Sequence, residues 1–392
     1  MTEIKPSEGA AALLPHAGTA TEAATTKPAT AISTSSVDIL VLGAGWLSQF
    51  LLPLLKSRDI SYAATSTTGR DDTIPFKFDP NSEDLEQYRR LPNATTILIT
   101  FPLVASSRAA RKAAMAAAAG TDKAATQAQT PTAPSQQPLP PSSSSPESKA
   151  APHLLNSYRL THPSIPQPHY ILLGSTGEWT TPGWHDRHSN PHSPTSSSLP
   201  SARWTSESSL LSLGGTVLHL AGLFGDVHRT SRIWELAVPR TKEGVKGKGG
   251  VHFIHGGDVA RAVVAVHLSG REEGVWEKNG KGQRWIVTDG RVYDWWGLVW
   301  EAAGELDGRF DGDVVDGDDG GRDVVGKGED TYRQWLLESM REEGVRGLPR
   351  EGEKLGRRMD SREFWETWGL VPIEKGFAWP AAKESSKEDV RL

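Results

Sequence analysis

The chain contains no cysteine in its 392 residues. That excludes disulfides, thiolate metal sites and cysteine nucleophiles, and it leaves the redox compartment unmarked. No apolar run reaches the roughly 18 residues that a membrane-spanning helix needs. Neither sign of charge is in excess: 43 Lys and Arg stand against 48 Asp and Glu, a net charge of −5. No nucleic acid and no membrane surface is therefore expected as a partner. Residues 1–36 lack arginine, carry Glu3, Glu8 and Glu22 and have no apolar core. They match neither a mitochondrial presequence nor a secretory signal. They read as a disordered tail, and the chain as cytoplasmic.

Three further stretches are poor in the apolar surface that offsets ordering entropy. One runs from about 105 to 152 and includes "TPTAPSQQPLPPSSSSPESKAAP"; its Ala-rich start suits a short helix. Another is the acidic, glycine-rich 307–330, and the last is the tail 381–392. Between them, short apolar runs alternate with helical spacing. "VDILVLGAG" (Val37–Gly45), "ISYAATS" (Ile60–Ser66), "PFKFD" (Pro75–Asp79), "TTILITFPL" (Thr95–Leu103), "HYILLGST" (His169–Thr176) and "GTVLHLAGLFG" (Gly215–Gly225) read as buried strands. "WLSQFLLPLLKSR" reads as a helix that Pro53 kinks or ends early, and "DLEQYRRL" as a short helix. This alternation predicts an α/β fold with a doubly wound parallel sheet.

Gly43 and Gly45 fall at the turn from the first strand to the first helix. In such a turn the first glycine permits the bend, the second lets backbone approach a pyrophosphate, and the helix N-terminus faces the phosphate. The third position, which serves close helix–strand packing, holds Ser48, a residue small enough to stand there. Gly43, Gly45, Trp46 and Leu47 are the candidate phosphate-side residues, with Trp46 in the loop itself. No acid ends the second strand to hold ribose hydroxyls. "TSTTGRD" offers Ser66, Thr67 and Arg70 for a 2′-phosphate, so NADP is preferred to NAD; the alternative leaves Arg70 a solvated loop charge. Asp79 ends the third strand, to reach an adenine edge or to cap the next helix.

The order of these pieces resembles the extended and atypical short-chain dehydrogenase/reductases, the NAD-dependent epimerase/dehydratase-like family. The branch it resembles has a loop reading G-x-G-W-L-G, here Gly43-Ala44-Gly45-Trp46-Leu47-Ser48. "LLGSTGEW" (Leu172–Trp179) resembles the fifth-strand motif that ends in a catalytic Ser or Thr. "LHLAGLFG" (Leu218–Gly225) resembles the sixth-strand segment, with His219 where an arginine is usual. "FIHGGDVARAV" (Phe253–Val263) resembles the late strand–turn–helix, with Asp258 placed to cap the helix. "RRMDSREFWETWGLVP" (Arg357–Pro372) resembles the closing motif of the substrate lobe. The resemblance implies a Rossmann-type domain over 37–380 with a small, discontinuous C-terminal substrate lobe, and Thr176, with Ser175 beside it, binding the substrate oxygen.

It also implies a Tyr and a Lys four residues apart on one helix face, where the lysine lowers the tyrosine pKa for proton transfer. Ser201 and Thr205 fall at those places, and residues 171–231 contain no tyrosine and no lysine. Either catalysis is lost while binding remains, or another residue substitutes; Glu178, Arg203 and Glu207 lie near, Glu207 being equally suited to packing. The expected function is an oxidoreductase- or epimerase-like NAD(P)-binding protein with an atypical site, acting on an unidentified small molecule. The alternatives are a non-catalytic NADP-sensing regulator and a scaffold. A homo-oligomer or a protein partner is open.

Other motifs carry less. His185, His188 and His192 share a loop without fixed ligand geometry, and "DGDVVDGDDGG" has Lys327 where a calcium loop needs glutamate, so no metal is expected. Trp296 and Trp300 lie four apart at the start of a helix, as lobe core or as pocket wall. "TKEGVKGKGG" (Thr241–Gly250) reads as a basic loop, near a phosphate or simply solvated.

Overall fold

A computed structural model of the chain describes residues 36–104, 146–191, 200–226, 228, 230, 233–234, 237–310 and 331–377. The tails 1–35 and 378–392, most of the first insert and residues 311–330 lie outside this set.

Seven strands form one parallel sheet: β1 (Ser36–Leu42), β2 (Tyr62–Ser66), β3 (Ile74–Pro75), β4 (Asn93–Ile99), β5 (His169–Ser175), β6 (Thr216–Leu220) and β7 (Arg284–Val287). Their spatial order is β7-β6-β5-β4-β1-β2-β3. This is the Rossmann order, in which the chain winds outward from β1 in one direction and then, from β4, in the other. The carboxyl ends of β1 and β4 therefore diverge into a crevice, with Leu42 in register with Ile99.

Alternation along each strand builds a core on both faces. Ile39 and Val41 join Leu51 and Leu55 of α1 (Ser48–Ser57) and Val259, Val263 and Val266 of α6 (Gly256–Gly270). Leu40 and Leu42 join Tyr88 of α2 (Glu86–Arg89), Leu154 and Tyr158 of α3 (Pro146–Thr161) and Leu210 of α4 (Ala202–Ser212). A separate cluster holds the C-terminal lobe: Trp234, Val245 of α5 (Lys242–Lys246), Trp296 and Val299 of α7 (Trp295–Phe310), Tyr332 and Leu336 of α8 (Thr331–Glu342), and Phe377. The closing motif forms a strand, Arg357–Met359, and α9 (Arg362–Thr367), whose Phe364 and Trp365 return to the sheet core.

Several sequence expectations shift. The first helix runs past Pro53 to Ser57. Proline removes the N–H that would reach the Gln49 carbonyl, but Gln49 and Pro53 are solvent-exposed, so water can serve that carbonyl. Residues 146–152, placed by composition in the first insert, start α3, and Ala150 and Ala151 are fully buried. Residues 307–310 continue α7. The basic stretch Thr241–Gly250 is partly helical: Thr241 Oγ1 accepts the Gly244 N–H, and Lys242 and Lys246 pair with Glu338 and Glu342 of α8. Trp296 is buried lobe core, and Trp300 is packed partly against it. Among the described residues no helix is long and apolar enough to cross a membrane.

Candidate functional site

The turn after β1 is held by backbone constraints. Gly43 has φ +96°, and a Cβ there would stand 2.6 Å from Thr100 Oγ1 and 3.2 Å from the Phe101 ring. A side chain is thus excluded by both conformation and space. The Gly43 N–H donates to Thr65 Oγ1 at 3.0 Å, and Thr100 Oγ1 donates to the Gly43 carbonyl at 2.7 Å. Strands β2 and β4 so grip the loop from both sides. Gly45 is different: a Cβ there would meet nothing within 4 Å. Leu47 precedes α1 and offers no side-chain cap; the Ser48 and Gln49 N–H groups donate to the Gly45 (3.1 Å) and Trp46 (3.4 Å) carbonyls, and the positive helix end points toward the loop. Ser48 fits by size, but its buried hydroxyl has no hydrogen-bond partner among the described residues.

These features open on a cavity of about 410 Å³, a size usual for cofactor and substrate sites. Gly45, Trp46 and Leu47 form one wall, Thr100 and Pro102 follow β4, and Gly174, Ser175 and Arg203 form the opposite wall. Trp46 stands edge-on to Phe50, with centroids 5.0 Å apart, and its indole N–H donates to Asp226. The glycine loop is thereby tied to the loop after the short strand Gly222–Phe224.

The cofactor-selecting candidates are spread out. Ser66 ends β2, but its hydroxyl accepts the Gly69 and Arg70 N–H groups and pairs with Thr73 Oγ1 at 2.7 Å. It shapes the loop that presents Arg70. The Arg70 side chain is 65% exposed, with its guanidinium 3.5 Å from the Ala44 carbonyl, beside the glycine loop. Asp79 accepts the Asn81 N–H at 2.9 Å, an Asx turn, and is not in the cavity wall.

In the other half, Ser175 lines the cavity, and its hydroxyl accepts the Gly177 N–H at 3.1 Å. Thr176 is 5% exposed, its hydroxyl 3.4 Å from the Leu220 carbonyl, outside the cavity lining. Ser201 caps α4 by accepting the Trp204 N–H and donates to Glu178 at 2.7 Å. Thr205 donates back to the Ser201 carbonyl. Both hydroxyls at the Tyr and Lys places are thus engaged in helix structure.

Glu207 lies beneath this wall, 2% exposed, against Gly174, where a Cβ would meet its Oε1 at 2.8 Å. Burial pushes its carboxyl up to about 8, against the pull of Arg203 and Arg284. His219 Nδ1 is 3.7 Å from Glu207 Oε2. Complete burial, helped by Arg284, pushes this imidazole down to about 3. The two therefore meet as neutral acid and neutral imidazole, not as an ion pair.

Three residues do more than the sequence showed. Arg203, named there as a neighbour of the missing Tyr–Lys pair, lines the cavity from the first turn of α4. Arg357, from the closing motif, donates to the carbonyls of Thr176 (3.1 Å) and Trp179 (2.6 Å), fixing the turn after β5. Asp258 was expected to cap its own helix. That cap is His255, whose Nδ1 accepts the Gly257 N–H. Fully buried Asp258 instead accepts the N–H groups of Ile373 and Glu374 and pairs with Arg261. It pins the segment after α9, a contact over 110 residues away that no local pattern announces.

The histidine loop is no ligand set as placed. His185 is buried in the short strand Gly183–His185, bonded to the Thr181 carbonyl at 2.7 Å. His188 pairs with Glu363 at 3.0 Å. His192 lies outside the described residues, as does the acidic 311–330. Among the described residues no group of three His, Asp or Glu is placed to hold a metal.

No family model and no curated protein sequence matches this chain. Solved structures do. It is similar to the UDP-N-acetylglucosamine 4-epimerase from Bacillus cereus at 12% identity, over 87% of this chain and 95% of that one, TM-score 0.44. It is similar to RMD from Pseudomonas aeruginosa complexed with NADPH, at 12% identity over 86% and 93%, TM-score 0.43. It is similar to the dTDP-glucose 4,6-dehydratase from Bacillus anthracis in complex with NAD, at 10% identity over 86% and 92%, TM-score 0.43.

Proposed function

We propose that the chain binds a nicotinamide dinucleotide, NADP in preference to NAD, across the carboxyl ends of β1 and β4. We propose further that the cleft belongs to an oxidoreductase- or epimerase-like protein with an atypical active site. The observation that carries this is Gly45: a strand–glycine–helix turn at the switch point of a Rossmann sheet, with open space where a side chain would stand. The residues fit the group. The first turn of α1, with Gly45 and Leu47, would hold the pyrophosphate. Arg70, presented by the Ser66 turn, would hold a 2′-phosphate. Bound there, the cofactor would supply hydride transfer. Ser175 is the hydroxyl on the cavity wall for a substrate oxygen, and Thr176 supports it from behind.

A second reading has its own observation. Ser201 and Thr205 are spent on capping α4, and 171–231 holds no Tyr or Lys. A dinucleotide-sensing regulator needs the first half of the site alone. Titration of the purified chain with NADPH, NADP⁺, NADH and NAD⁺, followed by tryptophan emission and melting temperature, tests both. Micromolar binding of a phosphorylated form, abolished in Gly45→Trp, is expected. Failure of all four at millimolar concentration would remove the cofactor from the account. With binding secured, turnover of NADPH by any of a panel of carbonyl compounds separates enzyme from sensor.

A further inference from the structure

Arg203 sits in the first turn of α4, a helix with no acidic residue in that turn. A cation there opposes the helix dipole, so helix stability does not explain it. Arg203 lines the cavity, the one ionisable residue among the described lining residues. The lining is about as polar as apolar, with Leu173, Leu220 and Val259 beside Thr100 and Ser175.

The surrounding charges do not neutralise it. No carboxylate oxygen among the described residues is within 4 Å of Arg203. Glu178 is bonded by Ser201. Glu207 is buried behind Gly174 and holds its proton at neutral pH. Arg284 adds a second positive charge, stacked 3.7 Å over Trp204. A partly buried arginine at a pocket that brings no carboxylate to it lacks a counter-ion until an anion fills the pocket. Its planar fork matches carboxylate and phosphate oxygens two at a time.

We infer that the cleft takes a substrate carrying a carboxylate or a phosphate, and that Arg203 is its anchor. This rests on the dinucleotide reading, which gives the pyrophosphate to α1 on the facing wall and leaves the β5 side to the substrate. Arg203 then sets specificity: it selects an anionic small molecule and aligns it against Ser175.

The full chain, saturated with NADPH, is titrated with inorganic phosphate, with malonate and with neutral glycerol, read by tryptophan emission and melting temperature. One or both anions are expected to bind and glycerol not. Affinity should fall at least tenfold in Arg203→Met and be partly kept in Arg203→Lys, while NADPH affinity changes less than threefold. Whichever of phosphate or malonate binds more tightly names the anionic group. Anion binding that is absent, or unchanged in Arg203→Met, overturns the proposal. So does a tenfold loss of NADPH itself in that variant, which would assign the guanidinium to the cofactor's phosphates. If no dinucleotide binds, the cofactor reading fails separately. The anion titrations are then read on the chain alone, where Arg203 dependence upholds the anion site and its absence overturns it.

Discussion

The loop after β1 and the wall after β5 face each other across one cavity, and they are specified in different ways. After β1, the candidate site is made of backbone: a glycine at φ +96°, another with open space, and a helix end. After β5, it is made of side chains, and there the hydroxyls at the expected acid/base places cap a helix while an arginine lines the cavity. Gly43 is bound to the fold, because the strand–helix turn has no room for a side chain there. Side-chain devices can be exchanged while the fold stands. A binding half can thus persist beside a catalytic half whose chemistry has changed.

The second half is not loosely built, and the largest expected effect tests that. Gly174 forms its floor, where a Cβ would meet Glu207 Oε1 at 2.8 Å, Val217 at 2.9 Å and His219 at 3.0 Å. None of these can swing into solvent. Gly174→Val should cost about 3 kcal/mol or more, as overpacking a rigid core does. Urea unfolding checks it; a loss under about 1 kcal/mol would mean the floor is soft and the contrast between a rigid binding half and a rigid but altered second half is wrong.

The buried ionisable groups also leave a pH signature. His219 is pushed down to about 3, and His252 and His267 to about 4, all by burial. Folded, they stay neutral where the unfolded chain takes up protons below its ordinary histidine range of about 6.5. Their contribution is present above that range and is lost as pH falls. Glu207 acts oppositely. With Arg203, Arg284, Glu178 and His219 around it, it keeps its proton up to about 8. Its contribution is present below the ordinary glutamate range and is lost as pH rises toward 8. With His169, which burial also lowers, the histidines outweigh Glu207 below about pH 6.5, so stability should peak near there, with an alkaline decline from Glu207 of about 2 kcal/mol by pH 8. Melting curves from pH 5 to 8.5 should show this peak, and Glu207→Gln should flatten the alkaline limb alone. A decline that survives in the variant would place the titration elsewhere.

Much of the fold was legible because the strands are buried on both faces and read as plain apolar runs. Ile39 to Leu42, Ile97 to Ile99 and Ile171 to Leu172 are all within 2% of full burial. The glycine turn was legible because at Gly43, with φ +96° and no room for a Cβ, few residues can stand. Gly45, Trp46, Leu47 and Ser175 do line the cavity. What failed to show were features set by distant partners. Asp258 looks like a helix cap until residues 373–374 arrive. Lys242 and Lys246 look solvated until α8 brings Glu338 and Glu342. Arg203 reads only as a neighbour of the missing Tyr–Lys pair until α4 brings it to the cavity. Ala150 and Ala151 sit in sequence of low complexity, yet bury completely in α3.

The smallest expected change in stability gives the sharpest separation of the two halves. Gly45 is outside the left-handed region, and the space beside it is open. Gly45→Ala should therefore shift unfolding by less than about 0.5 kcal/mol, since the methyl meets no neighbour and the stiffer backbone offsets lost hydration. The same methyl occupies the place where a phosphate would approach the backbone. NADPH affinity should fall by roughly tenfold, about 1.4 kcal/mol. Arg203→Met should show the reverse pattern: anion binding lost, NADPH kept. Measured side by side, the two variants test whether the walls act independently. If Gly45→Ala leaves NADPH affinity untouched, the open space beside Gly45 is not a phosphate cradle, and the backbone-encoded half loses its distinction from the side-chain half.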